Sequence, residues 1–235
     1  CAESGGELVT VEPAPSPHLV DVALQSESFH LYQGQSLSYL TDPGCRSQFV
    51  VIDGDHNHFT VYHELTLIER AWRARGIEGI AVLHDVGWPC GRRDAYYDPS
   101  ALPPEALHPH SYELGVTLDE RSLVRGGFRG EGQFAWAAHE GGPRNGVLTA
   151  VEDFLAEHPE YALHTVDAVF GLGAIARRDT AAERAVREAF APYDNALVRR
   201  LERNRLELYL KVLELQDALH PPAPARDAPP AEARA

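Results

Sequence analysis

Two polar motifs in this sequence contain side chains that could hold a metal ion and move a proton. Asp53 and His56, within the run Asp-Gly-Asp-His, directly follow four apolar residues, and His84 and Asp85 directly follow another such run. Short, wholly apolar runs are typical of strands buried on both faces of a parallel sheet. If the two strands are neighbours, carboxylates and an imidazole meet at one sheet edge and could bind a hard cation such as Mg²⁺. Alternatively, each motif is an ordinary turn, because Asp and Gly are favoured in turns.

The segments around these motifs predict the sheet that would position them. Apolar patterning predicts four strands, which end near Glu12, Gln33, Ile52 and Leu83. Strands that alternate with helices indicate an α/β sheet with right-handed crossovers. Two later strands, predicted on either side of Gly171, favour an antiparallel closing hairpin. Because ligands bind at the carboxyl ends of strands in such sheets, Glu12, Gln35 and Ser36 are further candidate binding residues.

A long segment with little periodicity interrupts this pattern. Residues 86–145 are rich in Pro and Gly, which predicts an irregular insertion that serves as a substrate lid. Four of its side chains could line a substrate pocket or could equally brace the loop by salt bridges; they are Arg92, Arg93, Tyr96 and Tyr97. Regular patterning resumes at Asn145, which we expect to cap a helix.

Three closely spaced histidines could suggest a zinc or iron site. His56, His58 and His63 lie where the pattern predicts a strand end that leads into a helix. Positions 56 and 58 should therefore point in different directions, and no downstream ligand completes a familiar spacing. We expect His58 and His63 to be ordinary histidines on a helix surface.

The C-terminal part of the chain predicts helices followed by a tail. Residues 179–219 are helical in pattern, with a possible break at Pro192, and the Pro- and Ala-rich residues 220–235 are expected to be disordered. The last helix carries two apolar stripes, one of Leu201, Leu208, Val212, Leu215 and Leu219 and one of Leu206, Leu210 and Leu213. A helix that is apolar on two sides must be covered twice, which predicts a homodimer through this helix. The alternative is one wide stripe packed against its own domain.

Composition and charge argue against several classes of protein. The 235 residues include 35 acidic and 21 basic side chains, and the resulting net charge of −14 argues against nucleic-acid binding. No apolar run is long enough to suggest a membrane span, so we expect no membrane partner. Three widely spaced cysteines suit neither a disulfide framework nor a metal motif, which favours a reducing, cytoplasmic location. The chain lacks methionine and opens with Cys1, as a lipoprotein, a secreted protein or a fragment would.

Taken together, the motifs resemble a known family. The runs FVVIDGDHNHFTVYHEL, GIAVLHDVGWP and GPRNGVLTAVEDFLAE, with the hairpin around VFGLG, are similar to class I S-adenosylmethionine-dependent methyltransferases. They resemble most the metal-dependent O-methyltransferases of the catechol, caffeoyl-coenzyme A and macrolide-sugar type. The resemblance covers most of residues 6–178 and implies that residues 1–178 form a Rossmann-like doubly wound sheet, mostly parallel with an antiparallel closing hairpin. The family's first strand and helix should precede Glu12 and are missing here, so we expect an N-terminal truncation, with Cys1 an interior residue of a longer protein.

The resemblance also implies a role for each candidate residue. Glu12 would bind the ribose of S-adenosylmethionine, Gln35 and Ser36 would approach its adenine, and Asp53 would border both the cofactor and the metal. His84 and Asp85 would complete the metal site, although the family usually has Asp or Glu at position 84, and His56 would be the general base. The implied reaction is methyl transfer to a hydroxyl of a small molecule, such as a sugar or a secondary metabolite, assisted by Mg²⁺ or a similar divalent cation. The alternative is a non-catalytic relative that serves as a binding or partner module.

Overall fold

The chain folds into a mixed α/β structure. The computed structural model describes residues 5–42 and 46–220. Its strands are β1 (Leu8–Val11), β2 (Phe29–Tyr32), β3 (Phe49–Ile52), β4 (Ile80–His84), β5 (Ala95–Tyr96), β6 (His110–Ser111), β7 (Ala135–Ala137), β8 (Tyr161–Val166) and β9 (Leu172–Arg177). Its helices are α1 (Pro17–Gln25), α2 (Ser36–Leu40), α3 (His58–Arg75), α4 (Val147–Glu157), α5 (Ala181–Phe190) and α6 (Ala196–Leu219). Cys1, Cys45 and the predicted tail after His220 lie outside the described residues.

The described strands form three sheets. β1 and β2 pair in parallel, and a four-stranded sheet has the order β3-β4-β9-β8. In that sheet β3 and β4 are parallel, whereas β9 runs antiparallel to both of its neighbours. β5, β7 and β6 form a small antiparallel sheet within the insertion. The α/β class and the antiparallel hairpin of β8 and β9 are therefore confirmed.

β3 lies at one edge of the four-stranded sheet, and its burial differs from the prediction. Of its residues only Ile52 is buried, whereas the side chains of Phe49 and Val51 are each 61% exposed. β4 is flanked by β3 and β9, and its Ala81 and Leu83 are fully buried. An apolar run thus predicted two buried strands, but only the strand with a neighbour on each side is enclosed.

α3 is the central helix, and its sequence explains both of its ends. The Asn57 side chain accepts a hydrogen bond from Thr60 N at 2.9 Å and caps the first turn. Gly76 ends the helix in a left-handed conformation at φ 63°, as predicted for its C-cap. The predicted stripe of Val61, Leu65, Ile68 and Trp72 is buried in the core. Complete burial of such a side chain contributes about 2 kcal/mol each.

The insertion is attached to the core through Asp94, which is fully buried. Its Oδ1 accepts hydrogen bonds from His58 N and Gly146 N, and its Oδ2 accepts one from the Tyr96 hydroxyl. The Asn145 side chain accepts from Asp94 N and donates to two backbone carbonyls of the insertion. Asn145 is therefore not the cap of α4, whose N-cap is Gly146, because its amide is used to hold the insertion in place.

The chain after β4 packs tightly against the loop between β8 and β9. Gly87 N donates to Phe170 O at 2.7 Å, and Val86 N donates to Gly171 O at 3.3 Å. A Cβ on Gly171 would lie 2.4 Å from Gly87 N, and Gly171 has φ 88°, so this contact requires glycine. The Glu202 carboxylate of α6 accepts from the backbone N–H group of Phe170 on the other side of the loop. This loop thus joins the segment after β4 to the C-terminal helix.

The C-terminal segment forms α5 and α6, and the predicted break falls around Pro192. α6 packs on the body through Leu206, which is buried, and through Tyr209, whose ring contacts Phe128 and Phe170. Arg129 forms two hydrogen bonds with the Asp217 carboxylate near the end of the helix. The predicted stripe that begins at Leu201 faces away from the body, and all of its members are more than half exposed; they are Leu201, Leu208, Val212, Leu215 and Leu219. A single wide stripe against the same domain is therefore ruled out.

A search of the described helices found none with both the length and the apolar character that a membrane crossing requires.

Candidate functional site

The candidate site forms where β3 and β4 end. The two strands are parallel neighbours in a register that pairs Ile52 with Leu83. Asp53 and His84 are the next residues on each strand, so they leave the sheet side by side at its carboxyl edge. The sequence-based expectation that these two strands are adjacent is confirmed. The end of β3 leads through His56 into α3, and the end of β4 leads through Asp85 into the insertion.

Four side chains of this edge form a closed ring of short contacts. His56 Nε2 lies 2.8 Å from Asp85 Oδ2 and 3.4 Å from Asp53 Oδ1. His84 Nδ1 lies 3.2 Å from the same Asp85 oxygen and 3.4 Å from the same Asp53 oxygen. Carboxylate oxygens and imidazole nitrogens therefore alternate around the ring. The arrangement satisfies both carboxylates and brings together all four residues that the two motifs singled out.

Burial and charge tune the inner pair of this ring. The side chains of His56 and Asp85 are only 11% and 13% exposed. Burial disfavours the charged imidazole, but the hydrogen bonds and charges of Asp85 and Asp53 together outweigh this effect and raise the pKa of His56. Burial likewise disfavours the Asp85 carboxylate, yet its contacts with His56 lower the pKa of Asp85 overall. The pair is therefore an imidazole of increased basicity with an ionised carboxylate beside it.

The backbone holds these two residues in fixed positions. Asp85 has φ 59°, in the left-handed region that a non-glycine residue seldom occupies. Such conformations cost about 1–3 kcal/mol and persist where the surrounding structure enforces them. The carbonyl of His56 accepts a hydrogen bond from Ala95 N at 3.0 Å, which ties the start of α3 to the insertion. Both sides of the His56–Asp85 pair are therefore anchored by main-chain contacts.

Three of the ring residues could hold a metal ion. Asp53, His84 and Asp85 each offer one ligand atom, and these atoms lie within 4.8 Å of one another. His56, Asp85 and Cys90 form a second, overlapping group of this kind. Burial raises the pKa of the Cys90 thiol well above its usual range, so the thiolate that a metal requires is disfavoured there. The first group is the better donor set, with two carboxylates and one imidazole.

The four predicted substrate residues are placed very differently. Tyr97 is half-exposed, and its ring centre lies 6.1 Å from that of His56 and 5.6 Å from that of Phe134. Arg92 pairs instead with Glu152 on α4. Arg93 is almost fully buried and donates to the carbonyls of Ala137 and Arg121, and Tyr96 is buried with its hydroxyl bonded to Asp94. Of the four, only Tyr97 lies beside the ring of site residues.

The predicted cofactor residues lie at the ends of β1 and β2. The half-buried Glu12 follows β1, and its Oε1 accepts a hydrogen bond from Ala14 N at 2.9 Å. Gln35 is exposed at the N-cap position of α2, which begins at Ser36. A side-chain contact joins Ser36 to Glu64 of α3, and α2 packs against α3. Ser36 is thus connected to the helix that begins beside His56.

For two polar residues near the site, the structure shows features that the sequence analysis did not predict. Glu64 is 5% exposed on the core face of α3, and burial raises its pKa to about 7. Its position three residues after Val61, on the apolar stripe, is the signal that could have revealed it. His58 is buried rather than exposed, because its Nε2 lies 2.8 Å from Asp153 of α4. His56 and His58 do point to different partners, as expected.

No known family matches this chain when it is compared with protein-family models, and none of the curated proteins matches it.

Proposed function

We propose that the chain is an S-adenosylmethionine-dependent O-methyltransferase that acts on a hydroxyl of a small molecule, such as a sugar or a secondary metabolite. The observation that supports this most directly is the ring of Asp53, His56, His84 and Asp85 at the carboxyl edge of two parallel strands. It combines an oriented imidazole with a donor set that suits a divalent cation. Ligands of α/β sheets bind at this edge.

In this mechanism His56 removes the proton of the acceptor hydroxyl. Because the Asp85 carboxylate can only accept a hydrogen bond, we assign the neutral His56 tautomer with its proton on Nε2, which lies 2.8 Å from Asp85. The lone pair of Nδ1 is then available for the hydroxyl proton, and the ionised Asp85 stabilises the imidazolium that results. When bound, S-adenosylmethionine would supply the electrophilic methyl group for the deprotonated oxygen, with the thioether as the leaving group.

A divalent cation fits the other side of the same ring. Asp53, His84 and Asp85 would hold it, and two of the three are acidic, which favours a cation over an anion. When bound, such an ion lowers the pKa of a hydroxyl that coordinates it. Tyr97, half-exposed beside His56, would pack against the acceptor.

The cofactor would bind along the ends of β1, β2 and β3. In this proposal Glu12 accepts the ribose hydroxyls, Gln35 and Ser36 contact the adenine, and Asp53 borders the sulfonium end. The proposed fold is the Rossmann-like doubly wound sheet, in which a further parallel strand lies beside β3. The exposure of Phe49 and Val51, which lie on one face of β3, supports this fold, because a doubly wound sheet is covered by helices on both faces. A reducing, cytoplasmic location is also proposed, in keeping with the free, buried Cys90.

The test is transfer of a labelled methyl group from S-adenosylmethionine to a panel of phenols and sugars, read by mass spectrometry. We expect one methyl group to be added, and His56→Asn to abolish the reaction while calorimetry still detects cofactor binding. His63→Asn is the matched control, since His63 lies on the same helix and bonds to Phe59 O. Full activity in His56→Asn would disprove the role of this base. Cofactor binding without transfer to any acceptor would favour the non-catalytic module.

A further inference from the structure

We infer that the cation site selects a nitrogen-binding transition ion, such as Mn²⁺, Co²⁺ or Zn²⁺, in preference to Mg²⁺. This rests on the cation site of the proposed function and concerns which ion occupies it. The reason is His84, whose Nδ1 faces both carboxylates, at 3.4 Å from Asp53 and 3.2 Å from Asp85. Mg²⁺ binds oxygen ligands and retains water, whereas imidazole suits transition ions such as Zn²⁺, and the affinity of a site with nitrogen and oxygen ligands rises from Mn²⁺ to Co²⁺.

Two of the three distances between ligand atoms in this cluster suit ligands that share one ion. With bonds of about 2.1 Å, adjacent ligand atoms are separated by about 3.0 Å in an octahedral site and about 3.4 Å in a tetrahedral one. The contacts of His84 Nδ1, at 3.2 and 3.4 Å, fall within that interval. His84 can therefore share an ion with either carboxylate with little movement of its imidazole.

The exposure of the cluster leaves room for other ligands. Asp53 is 54% exposed and His84 is 30% exposed, whereas Asp85 is 13% exposed. The cluster thus has a buried side, formed by Asp85, and an open side toward solvent. Water or an acceptor hydroxyl can complete the coordination from the open side, and three protein ligands with an open position are typical of catalytic metal sites.

The test measures ion binding in the full chain without cofactor or acceptor. Calorimetry should show tighter binding of Mn²⁺ and Co²⁺ than of Mg²⁺. Pulsed electron paramagnetic resonance of the Mn²⁺ complex should show coupling to an imidazole nitrogen. His84→Asp gives an all-oxygen donor set and should weaken Co²⁺ binding by about tenfold or more. The ratio of Co²⁺ affinity to Mg²⁺ affinity should therefore fall, and the nitrogen coupling in the Mn²⁺ complex should disappear. His18→Asp, at an exposed position of α1, is the matched control and should change neither.

The outcomes separate this inference from the proposed reaction. Equal or tighter binding of Mg²⁺, absence of nitrogen coupling in the unmodified protein, or failure to bind any of these ions would overturn it. Because no step of the measurement uses S-adenosylmethionine, the ion preference can hold even if methyl transfer is absent. Conversely, activity supported by Mg²⁺ alone would leave the reaction standing and remove this inference.

A separate observation concerns the exposed stripe of α6, and from it we infer that two copies of the chain pair through this helix in antiparallel orientation. The stripe consists of Leu201, Leu208, Val212, Leu215 and Leu219, which are 51–75% exposed. Spacings of seven residues between Leu201, Leu208 and Leu215 keep these side chains on one line along the helix. A continuous apolar line of this length is typical of a surface that is covered by a partner.

The charges beside the stripe favour a second copy as that partner. Along one flank the order is Arg200, Glu207, Lys211 and Glu214, which alternates in sign. Within the helix, Glu207 pairs with Arg203 and Lys211 pairs with Glu214, and these exposed contacts can exchange for contacts with a second copy. In an antiparallel pair centred near residue 209, Glu207 of each copy faces Lys211 of the other.

Light scattering after size-exclusion chromatography tests this pairing in the full chain. We expect a dimer, which Leu208→Glu together with Leu215→Glu converts to a monomer. Leu24→Glu, at an 80% exposed position of α1, should leave the dimer intact. Lys211→Glu should weaken the dimer, and adding Glu207→Lys should restore it. A monomeric unmodified protein, or a dimer that is indifferent to both stripe substitutions, would overturn the inference.

Discussion

Glu64 allows a direct test of how burial of a charged group near the site affects stability. Its side chain lies on the core face of α3 and is 5% exposed. Burial penalises the carboxylate and raises the pKa of Glu64 to about 7, against a smaller opposing effect of Ser36. Among the described residues, its Oε2 has no hydrogen-bond partner. We therefore expect the ionised form of Glu64 to destabilise the fold.

The sign and size of this effect follow from proton linkage. A carboxyl group with a higher pKa in the folded than in the unfolded chain stabilises the fold while it is protonated. That contribution is complete below the unfolded value and is lost as the pH rises through the folded value. The rise in the pKa of Glu64 from 4.5 to about 7 corresponds to about 3 kcal/mol, most of which is lost between about pH 5 and pH 8.

The variant that tests this is Glu64→Gln, which keeps a similar shape and does not ionise. Urea unfolding followed by circular dichroism should show that the free energy of unfolding falls less with pH in the variant, by about 3 kcal/mol between about pH 5 and pH 8. In thermal unfolding the same difference amounts to about 6–12 °C in Tm.

Glu69→Gln is the matched control on the same helix. Glu69 is also buried, but it lies 2.6 Å from the guanidinium of Arg73. Because Glu69→Gln replaces a buried glutamate that has an ion-pair partner, it reports the cost of the substitution itself on this helix. If the Glu64→Gln protein and the unmodified protein lose stability equally as the pH rises, the buried carboxyl does not titrate in this interval and the reasoning is refuted.

Three further predictions address the insertion, the loop contact and the acceptor. Asp94→Ala removes the acceptor of three buried hydrogen bonds and should cost about 3 kcal/mol or more; limited proteolysis should then cut the insertion faster, and an unchanged rate would contradict its anchoring role. Gly171→Ala should lower Tm more than Gly76→Ala, because both glycines have positive φ but only a Cβ at position 171 would clash with Gly87 N. Equal decreases in Tm would show that the loop between β8 and β9 shifts to accommodate the Cβ. Tyr97→Ala should raise KM for the acceptor much more than Tyr97→Phe does, and equal effects would exclude ring packing.

The elements that carry the site were accessible from sequence because their patterns are local. The apolar run before Asp53 and the helical stripe that includes Leu65 each depend on neighbouring residues only. Their order along the chain predicts parallel strands joined by a helix, and this places Asp53 beside His84. Gly76 is likewise a local signal, since a left-handed C-cap favours glycine. The meeting of the two motifs therefore follows from local sequence patterns and from the rule that strands joined by a helix are usually parallel.

The contacts that the sequence did not reveal are long-range. Asn145 has the residue type of a helix cap, but its side chain is used by the backbone of Asp94, 51 positions earlier. His58 appeared to be a surface histidine because its partner Asp153 is 95 positions away. Arg92 has its charge satisfied by Glu152 on another helix. In each case the role of a polar side chain was predicted from its neighbours in sequence. Its actual role depends on a partner that is distant in sequence and comes close only in the folded chain.

The loop that Glu202 holds has a consequence for how the site can be observed in solution. The Glu202 carboxylate binds Phe170 N, Phe170 O binds Gly87 N, and Gly87 lies two residues after Asp85. The amide proton of Gly87 can exchange with deuterium only when this contact opens. Its exchange rate is therefore a local gauge of whether α6 is docked, measured at a backbone position next to the carboxylate that orients His56. Undocking of α6 and increased motion of His56 would therefore both appear as faster deuterium exchange at the Gly87 amide.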